Sequence, residues 1–160
     1  MIRKATADDI EDVLRIYEDA REYMARVGNP DQWGNNYPSR ELLESDVDAG
    51  NLYVLVEEKI LASFVFFIGN DKTYEKIYSG QWLNDAPYGV IHRIAISDSA
   101  RGRGVSRACF DYAYSLINNI KIDTHKDNLP MQRALEKYGF QYCGIIYIES
   151  GDERIAFQKV

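Results

Sequence analysis

The sequence is short of the features that would place it in a membrane, outside the cell or on a nucleic acid. Basic residues are outnumbered, 19 Lys and Arg against 25 Asp and Glu, for a net charge of −6. A protein that coats nucleic acid normally carries the opposite balance. No apolar run reaches the roughly 20 residues of a membrane span; the longest, Ile60 to Ile68, is interrupted by Ser63. The first residues, Met1-Ile2-Arg3-Lys4-Ala5-Thr6-Ala7-Asp8-Asp9, have no apolar stretch, so no signal peptide is expected. Cysteines number only 2, Cys109 and Cys143. They give neither a disulfide framework nor a metal-ligand spacing, and no metal is expected. No repeat, low-complexity tract or linker divides the chain. What is present is 160 residues, 46% hydrophobic and 12% aromatic. That is enough to bury a core rather than stay disordered, and it is close to the size of one domain. The expectation is a single soluble domain over residues 1–160 in a reducing, cytoplasmic compartment, with no nucleic-acid or membrane partner.

Helical and strand periods alternate along the chain. Thr6-x-x-Asp9 is a variant capping box, followed by Ile10, Val13, Leu14, Tyr17 and Met24 at helical spacing to about Gly28. Pro38-Ser39 opens a second, short helix with Leu42, Leu43 and Val47, ended by Gly50. Leu52 to Glu57 and Ile60 to Ile68 read as a hairpin about Glu58-Lys59. Gly69 to Pro87 has no clear period and reads as a loop or a short strand. Tyr88 to Ile96 is a strand, Val105 to about Asn118 a helix, and Ile120 to Thr124 a strand. Pro130 then starts a helix closed by Gly139. Gln141 to Glu149 and Arg154 to Lys159 form a terminal hairpin about Ser150-Gly151-Asp152. The order α-α-β-β-β-α-β-α-β-β predicts an α/β (α+β) fold, a mixed sheet with helices packed on it.

The most informative segment is Ile94-Ala95-Ile96-Ser97-Asp98-Ser99-Ala100-Arg101-Gly102-Arg103-Gly104-Val105-Ser106-Arg107, a strand running through a loop into a helix. The first helical turn carries unpaired N–H groups at the positive end of the helix dipole. Gly102 and Gly104 let backbone approach a ligand closely. Arg101, Arg103 and Arg107 add positive charge to an acidic chain. Together these make an anion site suited to a phosphate or pyrophosphate, against the plainer reading of a strand–helix turn with solvated arginines. The segment is neither a P-loop nor the dinucleotide G-x-G-x-x-G fingerprint.

On these residues the sequence resembles the GNAT family of N-acetyltransferases. The family's Arg/Gln-x-x-Gly-x-Gly/Ala signature reads here Arg101-Gly102-Arg103-Gly104-Val105-Ser106, with Ser106 in the last place. The strand before it would pair with the pantetheine arm at Ile94 and Ile96. A second block matches too: Asn128 precedes a helix that ends in Gly139-Phe140. Gln32-Trp33 and Cys143-Gly144-Ile145-Ile146-Tyr147 resemble a bacterial small-domain branch of the family. The resemblance spans about Ile2 to Val160. It implies a central mixed, mostly antiparallel sheet flanked by helices. It also implies acetyl-CoA as co-substrate, held by Ile94, Ile96, Arg101, Gly102, Arg103, Gly104, Val105, Ser106 and Asn128.

The function implied is transfer of an acetyl group to a primary amine, of a small molecule or a peptide, by direct attack in a ternary complex. The alternative is a non-catalytic acyl-CoA-binding module or sensor. Neither cysteine sits in a nucleophile motif, and both read as small buried hydrophobes. For the base the candidate is His92. Strict alternation puts it on one face with Val90, Ile94 and Ile96, and its place on the strand resembles arylalkylamine-type members. The plainer reading is a wall histidine with a local hydrogen bond. His125 reads as a turn histidine. The family's Tyr general acid, four residues before the Gly of Gly-Phe, is replaced by Leu135; Tyr138 and Tyr147 are the tyrosines left to consider, and Tyr138 is taken as the candidate. The acceptor wall is assigned to Gln32, Trp33 and Tyr37, in the connection of the first two helices, with a core cap as the other reading of Trp33. Glu22 and Asp46 read as ordinary helix-face charges. Tyr74 to Tyr88, with Trp82, is either a further wall or a homodimer contact.

Overall fold

The computed structural model describes residues 1–160. Its elements run β1 (Ile2–Lys4), α1 (Ile10–Arg26), α2 (Arg40–Asp48), β2 (Leu52–Val56), β3 (Ile60–Ile68), β4 (Gly89–Ile96), α3 (Val105–Leu116), β5 (Ile120–Thr124), α4 (Leu129–Tyr138), β6 (Gln141–Tyr147) and β7 (Glu153–Lys159). The helix boundaries follow from capping chemistry. The Asp9 carboxylate accepts from the Thr6 N–H at 2.8 Å, and Arg3 pairs with it at 2.7 Å, fixing the short turn that leads into α1. Ser39 Oγ accepts from Leu42 N at 3.1 Å and starts α2. Asn128 does the same for α4 through Met131 N, at 3.2 Å.

The strands form one sheet in the order β1-β2-β3-β4-β5-β7-β6, antiparallel throughout except for β4 against β5. This is the expected mixed, mostly antiparallel sheet with helices on both faces. The element missing from the sequence reading is β1, whose three residues pair with Tyr53–Leu55 but are too short to show alternation. Strand alternation then sorts the core. Leu52, Val54 and Val65 pack under α1 and α2 with Val13, Ile16, Tyr17 and Leu43. Tyr53, Leu55, Phe64 and Phe66 face α3 and α4, with Cys109, Phe110, Leu135 and Phe140. Gly69 to Pro87 is a packed loop on the α1 side. It contains a single helical turn at Lys72–Tyr74, and Tyr78 bridges to Ile145. Tyr74 is buried over Val90, Ile146 and Ala156.

Two irregularities in β4 shape the rest. First, β3 and β4 pair as Ser63↔Ala95 and then Val65↔His92, so β4 carries an extra residue between them. The bulge centres on Arg93, a non-glycine residue with φ +50°. It overturns the strict alternation expected along this strand. Ile91, Ile94 and Ile96 face α3, whereas His92 joins Val90 on the opposite, α1 face. Second, β4 and β5 pair only at Gly89↔Ile120 and Val90↔Lys121. Beyond these residues the two strands part, and the gap between them opens into two cavities.

Candidate active site

The first cavity, about 410 Å³, lies along the Arg101–Gly104 loop. Its walls are Ile94–Ile96 of β4, the first turn of α3 (Val105, Ser106, Arg107) and one side of α4 (Met131, Ala134, Tyr138). Gly102 and Gly104 have φ +77° and +74°, and a Cβ added at either would meet no protein atom within 4 Å. The glycines therefore serve a left-handed turn beside open space, not a packing constraint. No side chain caps the N-terminus of α3, so its N–H groups stay available to an anion. The loop is a cradle of the shape a pyrophosphate needs, and acetyl-CoA fits the residues present. Of the three arginines expected to supply charge, two are already paired. Arg101 binds Asp98 at 2.6 Å and stacks over Tyr23, and Arg103 meets Glu57 at 3.2 Å. Arg107 lines the cavity without an acidic partner.

The second cavity, about 520 Å³, is polar and lies on the α1 face. It is lined by Gln32, Trp33 and Tyr37 from the α1–α2 connection, by Asp71 and Thr73, by Ile91–Ile94, and by Asp123 and Arg154. Met24, Ile94, Asn128 and Met131 line both cavities, so the two meet at that point.

His92 stands in the second cavity. Its Nε2 lies 2.7 Å from Asp71 Oδ2, and its Nδ1 lies 3.9 Å from Asp123 Oδ1. Tyr74 donates its hydroxyl to that same Asp123 oxygen at 2.6 Å. Burial of the Asp71 carboxyl opposes its ionisation, but the bonds from His92 and Thr73 outweigh it and hold its pKa at about 2. Asp71 is thus an anion that accepts a hydrogen bond from Nε2–H and leaves Nδ1 as the basic nitrogen. Burial, together with the neighbouring Asp123 carboxylate, pushes the Tyr74 phenol well above its ordinary value, so it remains a donor.

The bulge beside His92 is held from three sides. Tyr17 donates to the Arg93 carbonyl at 2.6 Å, Tyr37 accepts from Arg93 Nη1 at 3.0 Å, and Asp46 pairs with the same guanidinium. Asp46 is therefore not the ordinary surface charge its helix position suggests. A left-handed non-glycine residue costs on the order of 1–3 kcal/mol, and this set of contacts offsets it.

The other expected residues divide. Gln32 and Asn128, far apart in sequence, are joined: Asn128 Nδ2 donates to Gln32 Oε1 at 3.0 Å, and Asn29 Nδ2 donates to the same oxygen at 2.8 Å. Trp33 both lines the cavity and stacks edge-on against Tyr17, at 5.5 Å between ring centres. Tyr138 is not brought near His92. It lines only the loop cavity and donates its hydroxyl to Asp111 at 2.6 Å. Burial, aided by Asp111, pushes that phenol up to about 12. Leu135 is fully buried in the core, and Tyr147 stacks on Tyr78 outside both cavities. His125 accepts from Asp127 N at 3.0 Å, as a turn histidine does. Both cysteines are buried, and burial pushes the Cys109 thiol up to about 12. Sequence reasoning missed Asp71, Asp123 and Arg154, took Asp46 for a helix-face charge, and placed Tyr74 only in a stretch read as a wall or a dimer contact. The alternation of Lys121 and Asp123 with Ile120 and Ile122 along β5 was a usable signal for Asp123 alone.

The chain matches the acetyltransferase (GNAT) family over residues 10–140. Among solved structures, it is similar to a GNAT-family acetyltransferase from Streptococcus agalactiae at 34% identity. That match covers 100% of this chain and 94% of that one, with a TM-score of 0.92. A Staphylococcus aureus structure is similar at 26% identity over 99% and 97% of the two chains, with a TM-score of 0.73. A ribosomal-protein-alanine N-acetyltransferase from Brucella melitensis shares the fold, at 17% identity over 100% and 99% and a TM-score of 0.68. A search of curated proteins gave no match. No helix is long and apolar enough to cross a membrane.

Proposed function

The chain belongs to the GNAT acetyltransferase family, and from that premise we propose that residues 1–160 act as one cytoplasmic N-acetyltransferase domain that acetylates a primary amine by direct attack in a ternary complex. The observation that carries this reading is the meeting of the two cavities at Met24, Ile94, Asn128 and Met131, with a carboxylate-bound histidine on the acceptor side. When bound, acetyl-CoA supplies the acetyl group as a thioester, which the amine takes up as an amide while the thiol leaves.

The residues of the chain do the rest. Gly102, Gly104 and the N–H groups of Val105, Ser106 and Arg107 hold the pyrophosphate, and the free edge of β4 at Ile94–Ile96 holds the pantetheine arm. Gln32, Trp33 and Tyr37 wall the acceptor. An alkylamine is protonated near neutral pH and must lose a proton to become a nucleophile. His92 Nδ1 takes that proton, directly or through one water. Asp71 fixes the tautomer and, with Asp123 beyond Nδ1, stabilises the imidazolium that results. Asp71 is a positioning residue, since it acts through His92. No tyrosine lines both cavities, and on this reading the leaving thiolate takes its proton from solvent. Buried cysteines with raised pKa values agree with attack without a covalent enzyme intermediate.

The second reading, an acyl-CoA-binding module without turnover, is favoured by one observation: the position of the family's Tyr is Leu135, inside the core. Release of CoA thiol with a panel of primary amines separates the two. Transfer requires amine-dependent release. Binding of acetyl-CoA with no release for any amine supports the module.

A further inference from the structure

Arg154 is the chemically unexplained group in the acceptor cavity. It is 6% exposed, yet no carboxylate lies within ion-pair distance. Its Nη1 donates to the carbonyl of Glu153 and its Nη2 to the carbonyl of Gln32, both at 3.0 Å. These bonds satisfy two of its five donors and none of its charge. Buried charges in proteins are normally paired, and an exception inside a cavity is a place for a charged ligand. By contrast, the other arginine of this cavity, Arg93, is paired with Asp46.

The sheet register places Arg154 relative to the proposed base. Asp123 on β5 lies opposite Ala156 on β7. Arg154 is two residues earlier on β7, so it projects from the same face, about 7 Å along the strand. That face also carries His92, whose Nδ1 lies 3.9 Å from Asp123. The cavity thus has carboxylates and a base at one place and an unpaired guanidinium further along the same sheet face. Glu149 and Asp152 line the same cavity but are exposed, and Asp152 is hydrogen bonded by Ser150 at 3.0 Å. Water screens these rim charges, whereas the guanidinium sits where screening is weak.

We infer that the acceptor is an amine that also carries a carboxylate a few bonds away, as in an amino acid or a short peptide-like acid, and that Arg154 binds this carboxylate. The inference rests on the acetyl-transfer reading of the site. A planar guanidinium matches a carboxylate with two parallel N–H bonds, so the contact fixes the orientation of the acceptor as well as adding affinity. The amine is thereby turned toward His92, Asp71 and Asp123.

The test is CoA release measured with the common amino acids, their methyl esters and the matching decarboxylated amines, on the wild type, Arg154→Gln and Arg154→Lys. For the preferred side chain, wild-type kcat/KM should favour the free acid over its ester by roughly 10- to 100-fold, the range expected for a hydrogen bond to a charged group. Arg154→Gln should bring that ratio close to one, chiefly through KM of the acid, and Arg154→Lys should restore part of it. A ratio also controls for loosening of the Gln32 loop, which would affect acid and ester alike. Turnover of amines with no preference for the acid, or a preference that survives in Arg154→Gln, overturns the inference and leaves acetyl transfer standing. Binding of acetyl-CoA with no turnover of any acid, ester or amine overturns acetyl transfer, and this inference falls with it.

Discussion

Replacing Asp71 by asparagine keeps the size of the side chain and removes the charge that orients His92. In the native site Asp71 Oδ2 accepts from His92 Nε2 at 2.7 Å, which leaves Nδ1 free to take a proton. An amide in that place can turn its NH₂ toward Nε2, and the ring then carries its proton on Nδ1, where the base should be. Even with the amide oxygen inward, the imidazolium formed during transfer loses its nearest counter-charge. Kcat should therefore fall by roughly 10²–10⁴-fold, the range typical of a general base, while acetyl-CoA affinity stays within about twofold. The same substitution has a stability signature. The Asp71 carboxyl is lowered from its ordinary 3.8 to about 2, and a displacement of that size corresponds to roughly 2 kcal/mol. Partial access to solvent brings this to about 1–2 kcal/mol. Because the pKa is lowered on folding, the contribution is fully present above about pH 4 and is lost as pH falls toward 2. Urea melts of the wild type and Asp71→Asn should differ at about pH 4 to 5, and the gap should narrow as pH falls from there toward 2. A variant with near wild-type kcat refutes the role given to Asp71. A stability gap that does not shrink in acid refutes the electrostatic account of it.

His92→Ala and His92→Gln should each lower kcat by about 10²–10⁴-fold with acetyl-CoA binding retained; wild-type kcat in both would make His92 a wall residue only. Gly104→Glu should abolish acetyl-CoA binding in calorimetry, because it forces a side chain at φ +74° and sets a carboxylate in the anion cradle. Unchanged affinity with a native circular dichroism spectrum would remove the loop from the cofactor site. Trp33→Ala should raise the acceptor KM several-fold and lower stability by about 1–3 kcal/mol, less than a fully buried Trp would cost; a lower melting temperature with normal kinetics would make it a core cap alone.

What could be read from sequence was whatever depends on near neighbours. The Arg101–Gly104 loop, the Asn128 cap and the helix that ends at Gly139-Phe140 are local patterns with local causes, and they stand where the sequence put them. The face of His92 was not legible, because the bulge at Arg93 uses a residue with no intrinsic preference for φ +50°. Only contacts from Tyr17, Tyr37 and Asp46 hold it there. Asp71 was hidden for a related reason. It lies in a stretch with no period and meets His92 only because Tyr74 packs over Val90 and Ala156. Arg154 looked like one more charge in a hairpin, since its isolation from every carboxylate is a property of the fold.

The bulge in β4 gives this one strand the character of a ruler whose graduations change face midway. Ile91–Arg93 border only the polar cavity proposed for the acceptor, Ile94 borders both, and Ala95 and Ile96 border only the loop cavity proposed for acetyl-CoA. On the acetyl-transfer reading, the order of residues along the chain is therefore the order of positions from acceptor to donor. Inserting or deleting a residue here changes the distance between donor and acceptor. Substituting residues in the α1–α2 connection or the β6–β7 turn changes only the shape of one end. Acceptor preference can drift through those peripheral segments while the graduated strand keeps the two reactants in register.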